Sequence, residues 1–224
     1  MKLVKIQKLT NEKFLNLYNL IYQTDDGKLV TWTMSSRYDM EHLTCKSGDV
    51  KADCVCIIPK IIVNGEPCLI ITKEFRLPVN NYVYGFPAGL IDGNETPELS
   101  AVRELGEEIG ATKVGKVTRL TEACLHSEGL TDESTVTLEA EILELGNQNL
   151  QDEEDISYEI VKIKDLNKFL EGKILGAKLG VYAPVIVRNY ELEKAIKYLK
   201  AENDKLKEKL AKNSKTKKPD EYNY

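Results

Sequence analysis

Hydrophobic and polar positions change their period several times along the chain, and each change predicts an element. In residues 1–48, Leu15, Leu17 and Ile21 stand among polar neighbours, Asp25-Asp26-Gly27 signals a turn, and residues 29–34 resume an extended pattern. This stretch reads as short strands. Between 52 and 72, the apolar runs Val55-Cys56-Ile57-Ile58 and Leu69-Ile70-Ile71 flank Asn64-Gly65. Asn-Gly tolerates positive φ, so the segment predicts a hairpin. Residues 79–95 look loop-rich, with Asn80-Asn81, Pro87, Gly89 and Gly93. Thr96-Pro97 then opens a helix, Thr as cap and Pro at the first helical position, running to Ile109 and stopping at Gly110. Strands follow near 114–124, 134–143 and 156–163, and helices at 165–171 and 181–212. Residues 212–224 are rich in Lys, Ser and Asn with nothing to bury, and predict a disordered tail. Strands and helices without regular βαβ alternation point to an α+β sandwich.

The last helix carries a second pattern. Leu192, Ile196, Leu199, Asn203, Leu206 and Leu210 recur as a heptad seam, with Ile196, Asn203 and Leu210 at a and Leu192, Leu199 and Leu206 at d. Either it packs back on its own domain or it forms a coiled coil, in which Glu202 at g meets Lys207 at e of a partner.

Charge and cysteines narrow the function. A net charge of −5 makes the chain a poor candidate for sequence-independent nucleic-acid binding, which needs a basic face. No apolar run approaches the roughly 20 residues of a membrane span, and Lys5 and Lys8 interrupt any signal-peptide core. Five cysteines, Cys45, Cys54, Cys56, Cys68 and Cys124, lie among aliphatic residues and predict reduced, buried thiols in a cytoplasmic protein. Cys54 and Cys56 share a strand face, but both histidines are distant in sequence, so a structural zinc is not expected.

The chemistry concentrates in residues 89–110. At about 100° per residue, with Glu104 at zero, Glu107 falls at about −60° and Glu108 at about +40°. Leu99, Val102, Leu105 and Ile109 gather on the opposite side as the expected anchoring stripe. Like charges at this spacing repel one another, and they sit in the half of the helix where the macrodipole disfavours anions. A hard cation, Mg²⁺ or Mn²⁺, relieves both costs; a solvated acidic face is the plain alternative.

Gly89, Glu95, Arg103, Glu104, Leu105, Glu107, Glu108 and Gly110 stand at the spacing of the Nudix box, which this segment resembles; Ala111, where a larger aliphatic residue is commoner, departs mildly. The resemblance implies an α/β/α sandwich that hydrolyses a nucleoside diphosphate linked to another moiety. Further stretches are similar to the ADP-ribose pyrophosphatase branch: Lys73-Glu-Phe-Arg76-Leu-Pro78, Phe86-Pro-Ala-Gly-Leu-Ile-Asp92, Asp152-Glu-Glu-Asp-Ile156, Glu171-Gly-Lys173, and Thr31-Trp32-Thr33 with Arg37 beyond it. Gly85 stands where that branch usually has Glu, which leaves the number of metals open, and Glu74 where relatives often have Gln.

By resemblance the Nudix domain spans 49–190, with an N-terminal β region at 1–48 as dimer contact, a C-terminal helix at 191–212 and a disordered tail at 213–224. Glu104 and Glu108 are expected metal ligands, Glu107 a ligand or bridge, and the Ala88 carbonyl a further ligand. Arg103 and Glu95 either orient the loop and helix or serve structure alone. The base is expected in the acidic run 152–155, Glu154 first and then Glu153; a solvated loop is the alternative. Arg76 reads as a phosphate or ribose clamp or a structural ion pair, Trp32 as an adenine platform or core, and Arg37 as its neighbour at the substrate. His126, in a segment resembling the branch's substrate loop, reads as a satisfied loop histidine. The implied activity is metal-dependent cleavage of ADP-ribose or a related nucleotide sugar to AMP (NMP) and a sugar phosphate, by a homodimer. Alternatives are another nucleoside diphosphate derivative, an oxidised nucleotide, or a non-catalytic nucleotide sensor.

Overall fold

In the computed structural model, residues 1–216 are described. An antiparallel sheet in the order β1-β2-β3 comes first: β1 (Lys2–Lys8), β2 (Asn16–Gln23) and β3 (Leu29–Ser36). Alternate residues Tyr18 and Leu20, with Met34, are buried against Leu43 at the start of the short α1 (Thr44–Ser47).

The remaining strands form one mixed sheet: β4 (Cys54–Val63), β5 (Glu66–Arg76), β6 (Asn81–Gly85), β7 (Ala88–Leu90), β8 (Ala111–Arg119), β9 (Cys124–Leu125), β10 (Ser134–Leu145) and β11 (Ile156–Lys162). Its central path runs β11-β5-β4-β10-β8, with β4 and β10 parallel. Asn64 and Gly65, with φ of 51° and 76°, make the tight turn between β4 and β5. The unbroken apolar runs there belong to strands covered on both faces. Val55, Ile57 and Ile70 pack with α2 (Pro97–Ile109) on one side. Cys56, Ile58, Leu69 and Ile71 pack on the other with α3 (Leu166–Leu170) and the first turns of α4 (Ala177–Thr216). This is the expected helix–sheet–helix sandwich.

Near the middle, the sheet splits. β4 pairs with β5 only from Lys60 to Val63, while its first half, Cys54 to Cys56, pairs with β7. The far half of β5 pairs instead with β6. The loop-rich reading of 79–95 is therefore corrected: two short strands lie inside it, formed by long-range pairing that local Gly and Pro signals conceal. The strand expected at 114–124 begins earlier and breaks into β8 and β9. The helix expected at 165–171 starts as a 3₁₀ turn, Ile163–Asp165.

α4 begins at Ala177, inside the segment assigned to the Nudix domain, because Leu179, Ala183 and Val187 bury against the sheet. It also runs to Thr216, so the first residues of the expected tail are helical; the rest, 217–224, lies outside the described residues. From 191 to 212 its side chains are exposed except half-buried Glu202. The seam leucines do not pack back on the domain.

Candidate active site

Thr96 accepts the Leu99 N–H at 3.3 Å, Pro97 occupies the first turn, and Gly110 (φ 66°) closes α2 by donating to the Leu105 carbonyl. The expected anchoring stripe needs correction. Leu99 and Val102 are exposed, and the buried residues are Ser100, Ala101, Glu104, Leu105, Glu108 and Ile109. The helix packs on the central strands and also on the short strand β7 that carries Gly89, so the carboxylates lie within its covered face rather than opposite it.

Gly89 makes that approach possible. A Cβ added there would overlap the Glu104 carboxylate. Arg103 ties loop to helix: it donates to the Leu90 carbonyl (2.8 Å), both Glu95 oxygens (3.3 Å), Glu104 Oε1 (2.7 Å) and Glu107 Oε2 (3.3 Å). Ser100 donates to Glu95 Oε2 at 2.7 Å.

Glu104 and Glu108 are only 7% and 4% exposed. Burial pushes the Glu104 carboxyl up despite Arg103 beside it. Burial raises Glu108 well above the ordinary range, and the Glu104 charge adds to this; the Ala88 N–H, 3.4 Å away, offsets it in part. Two buried carboxylates, Glu108 with its ionisation opposed by burial and by the Glu104 charge, are a hard-oxygen donor set suited to a divalent cation. Among the described residues, no three His, Cys, Asp or Glu side chains close on one point. Glu104 and Glu107 instead share the Arg103 Nη1 proton donors. The donor chemistry fits a metal held by Glu104 and Glu108, with Arg103 competing for Glu104.

Within 152–155, Glu154 alone is half-buried. Its charge acts on Glu74, Glu104 and Glu108, and its Oε2 accepts the Gln151 N–H at 2.9 Å. Asp155 accepts the Tyr82 hydroxyl at 2.6 Å, while Asp152 and Glu153 face solvent.

A cleft of about 460 Å³ fills the split in the sheet. It is lined by Ala88 and Gly89, by Glu74 and Arg76, by Arg37 and Glu133, and by the start of α4. Arg76 pairs with Glu74 at 2.8 Å and Arg37 with Glu133 at 3.0 Å. Trp32 is not brought to this cleft. It lines a neighbouring hollow with Tyr22, Met34 and Asp132, and its indole N–H donates to the Gly129 carbonyl at 2.8 Å.

Several cleft residues escaped the sequence reading. Cys54 and Cys56 line it, as do His126 and Lys178. His126 Nε2 stands 3.7 Å from Cys54 Sγ and 3.2 Å from Lys178 Nζ, which corrects the expectation that the histidines are remote from these cysteines. The cause is pairing of β9 with β10 beside β4. Burial pushes the Cys56 thiol up to about 12, leaving it protonated. The cysteines are also less uniformly buried than expected: Cys56 and Cys68 are buried, Cys45 and Cys54 half-buried, and Cys124 exposed. No local pattern marks Lys178; only the packing of α4 reveals it.

A glycine strand clasped to a helix of buried carboxylates, on a mixed sheet covered on both faces, is the arrangement the sequence resemblance implies for a diphosphate hydrolase. The NUDIX domain model matches residues 54–178, and the chain belongs to that family. It is similar to a Nudix hydrolase of Schizosaccharomyces pombe, 30% identical over 195 residues, 81% of this chain and 91% of that one. An ADP-ribose pyrophosphatase of Saccharomyces cerevisiae is 31% identical over 71% of this chain and 70% of its own length. An ADP-sugar pyrophosphatase of Mus musculus is 35% identical over 59% of this chain and 58% of its own. A crystal structure of an ADP compounds hydrolase superposes with a TM-score of 0.64 at 17% identity, covering 86% of this chain and 95% of that one, a likeness of fold.

Proposed function

We propose that this chain cleaves the pyrophosphate bond of ADP-ribose or a related nucleotide sugar, with Mg²⁺ as its metal, releasing AMP (NMP) and a sugar phosphate. The observation carrying this reading is the buried Glu104–Glu108 pair packed against Gly89 and Ala88, two residues that line the cleft holding Arg76 and Arg37. The names of the yeast and mouse relatives support the substrate class.

Glu104 and Glu108 would hold the metal, with the Ala88 carbonyl and Glu107 beside them, and the ion when bound would supply neutralisation of the diphosphate charge and a more acidic water. Arg103 and Glu95 keep loop and helix in register. Glu154, half-buried within the field of these carboxylates, takes the proton of the attacking water. Arg76 and Arg37 bind the diphosphate and ribose. Trp32, the only tryptophan, stacks on the base. From its separate hollow it reaches a base held in a second copy's cleft, in a homodimer joined through residues 1–48. Five free thiols support a reducing, cytoplasmic setting.

The test incubates the protein with Mg²⁺ and a panel of ADP-ribose, other NDP-sugars and oxidised nucleotides, then separates products by chromatography. AMP and ribose phosphate from ADP-ribose, formed faster than products from the other compounds, are expected. Turnover of oxidised nucleotides alone overturns the substrate assignment.

A further inference from the structure

The second half of α4 is an apolar seam without a domain beneath it. Leu192, Ile196, Leu199, Leu206 and Leu210 are 50%, 50%, 64%, 55% and 69% exposed, although the helix that carries them is firmly anchored at Leu179, Ala183 and Val187. From Leu192 to Leu210 this face extends about 28 Å at the α-helical rise. Most of its outer positions are taken by charged residues, Glu191, Lys194, Lys197, Asp204, Lys205 and Glu208, with Tyr198 and Ala201 between them.

We infer that residues 188–210 form a parallel, in-register, two-stranded coiled coil with a second copy of this chain. Three features on the seam choose that occupant. Leucine fills the d positions 192, 199 and 206, and the a positions are Asn189, Ile196, Asn203 and Leu210, so polar a residues recur on the seam as in register-specifying two-stranded coils. Asn203, like Asn189 at the first a position, meets its own counterpart only in a parallel, in-register pair, where the two amides can bond one another. In an antiparallel pair it faces an apolar d residue and is buried without a partner. Finally, both charged g-to-e′ pairs are complementary in the parallel arrangement. Arg188 at g meets Glu193 at e′, and Glu202 at g meets Lys207 at e′.

A coil of about three heptads is marginal in isolation. Each strand is, however, the continuation of a helix fixed to its Nudix domain, which removes much of the ordering cost. The same helix lines the substrate cleft with Ala177, Lys178 and Leu179, so pairing its far end restrains the axis of a cleft wall.

Disulfide trapping in the full-length chain tests the geometry directly. Leu192→Cys, Leu199→Cys and Leu206→Cys are made separately in a Cys124→Ser background, with Lys197→Cys on the outer face as control. Circular dichroism and the melting temperature confirm that each variant is folded. Under mild oxidation at micromolar concentration, all three seam variants should give covalent dimers at least tenfold faster than Lys197→Cys. Cross-linking at one seam position alone indicates an antiparallel crossing and overturns the proposal. Rates equal to the control at all three overturn it as well. The readout is independent of catalysis, so it stands or falls apart from the substrate assignment.

Discussion

Gly89 and Glu104 occupy adjoining space: the glycine backbone lies where any side chain would displace the Glu104 carboxylate. Strand β7 can therefore clasp α2 only while position 89 lacks a Cβ. Gly89→Ala should push Glu104 away from Arg103 Nη1 or lift the strand off the helix, and either outcome separates Glu104 from Ala88 and Glu108. Turnover should fall at least tenfold, with a modest loss in melting temperature because the displaced atoms end a flexible side chain. Full activity in Gly89→Ala would contradict the clasp.

Glu108 is the most confined of the acidic groups, and its burial opposes ionisation. Glu108→Gln keeps the shape and removes the charge that burial disfavours. Melting in the presence of a chelator should be unchanged or raised, while turnover in Mg²⁺ should drop by about 10²-fold or more, as expected for a lost charge-stabilising contact. Wild-type turnover would remove Glu108 from the proposed donor set.

Glu154 and Glu153 are adjacent yet differently placed, one half-buried and acting on Glu104 and Glu108, the other turned to solvent. A base acts in the transition state, so Glu154→Gln should lower kcat about 10²-fold or more with little change in KM. Glu153→Gln should stay near wild type. Steady-state kinetics on the two variants distinguish a base from a solvated acidic run.

What could be read in the sequence was local. Thr96-Pro97 and Gly110 announce both ends of α2, Asn64-Gly65 announces its hairpin, and the α4 seam follows from spacing alone. What could not be read depends on distant partners. β6 and β7 exist because they pair with β5 and β4, and nothing in Gly85-Phe86-Pro87 shows that. The exposed Leu99 and Val102 misled because a helical wheel assumes one packing surface, whereas α2 has two. His126 and Cys54 are 72 residues apart in the chain and meet through β10. Of the candidate site, the carboxylates and Arg103 were evident from spacing, but the cleft wall formed by Lys178 was not.

His126 offers a pH-dependence with a definite sign. Burial holds its pKa below the usual 6.5, and Lys178 nearby lowers it further. Between the two values the unfolded chain binds more protons than the folded one, so stability falls as pH drops. The contribution is complete above about 6.5 and is lost as pH falls through the depressed folded value. Denaturant unfolding from pH 7.5 to 5 should show this loss in the wild type and a flatter profile in His126→Gln. Lys178→Met should raise the His126 pKa, followed by NMR titration; an unchanged value would show that the 3.2 Å contact has no electrostatic consequence.

Gly85 lines the cleft beside Thr72 and Ala88, at the position where the resemblance drawn from the sequence implies a glutamate. A Cβ added there meets only the Thr72 hydroxyl oxygen, at 3.8 Å, an ordinary contact, so nothing in the packing requires a glycine. The cleft also already contains Glu74, whose carboxyl is pushed up by burial, with Arg76 lowering it and the Glu154 charge raising it. A new carboxylate would enlarge the negative charge around Glu104 and Glu108, strengthening cation binding and, without the cation, repelling its neighbours. Gly85→Glu should therefore fold, melt at a lower temperature in chelator, and reach half-maximal activity at a Mg²⁺ concentration several-fold below that of the wild type. An unchanged Mg²⁺ requirement would place position 85 outside the reach of the metal ligands, and would leave Glu74 as the cleft carboxylate to vary next.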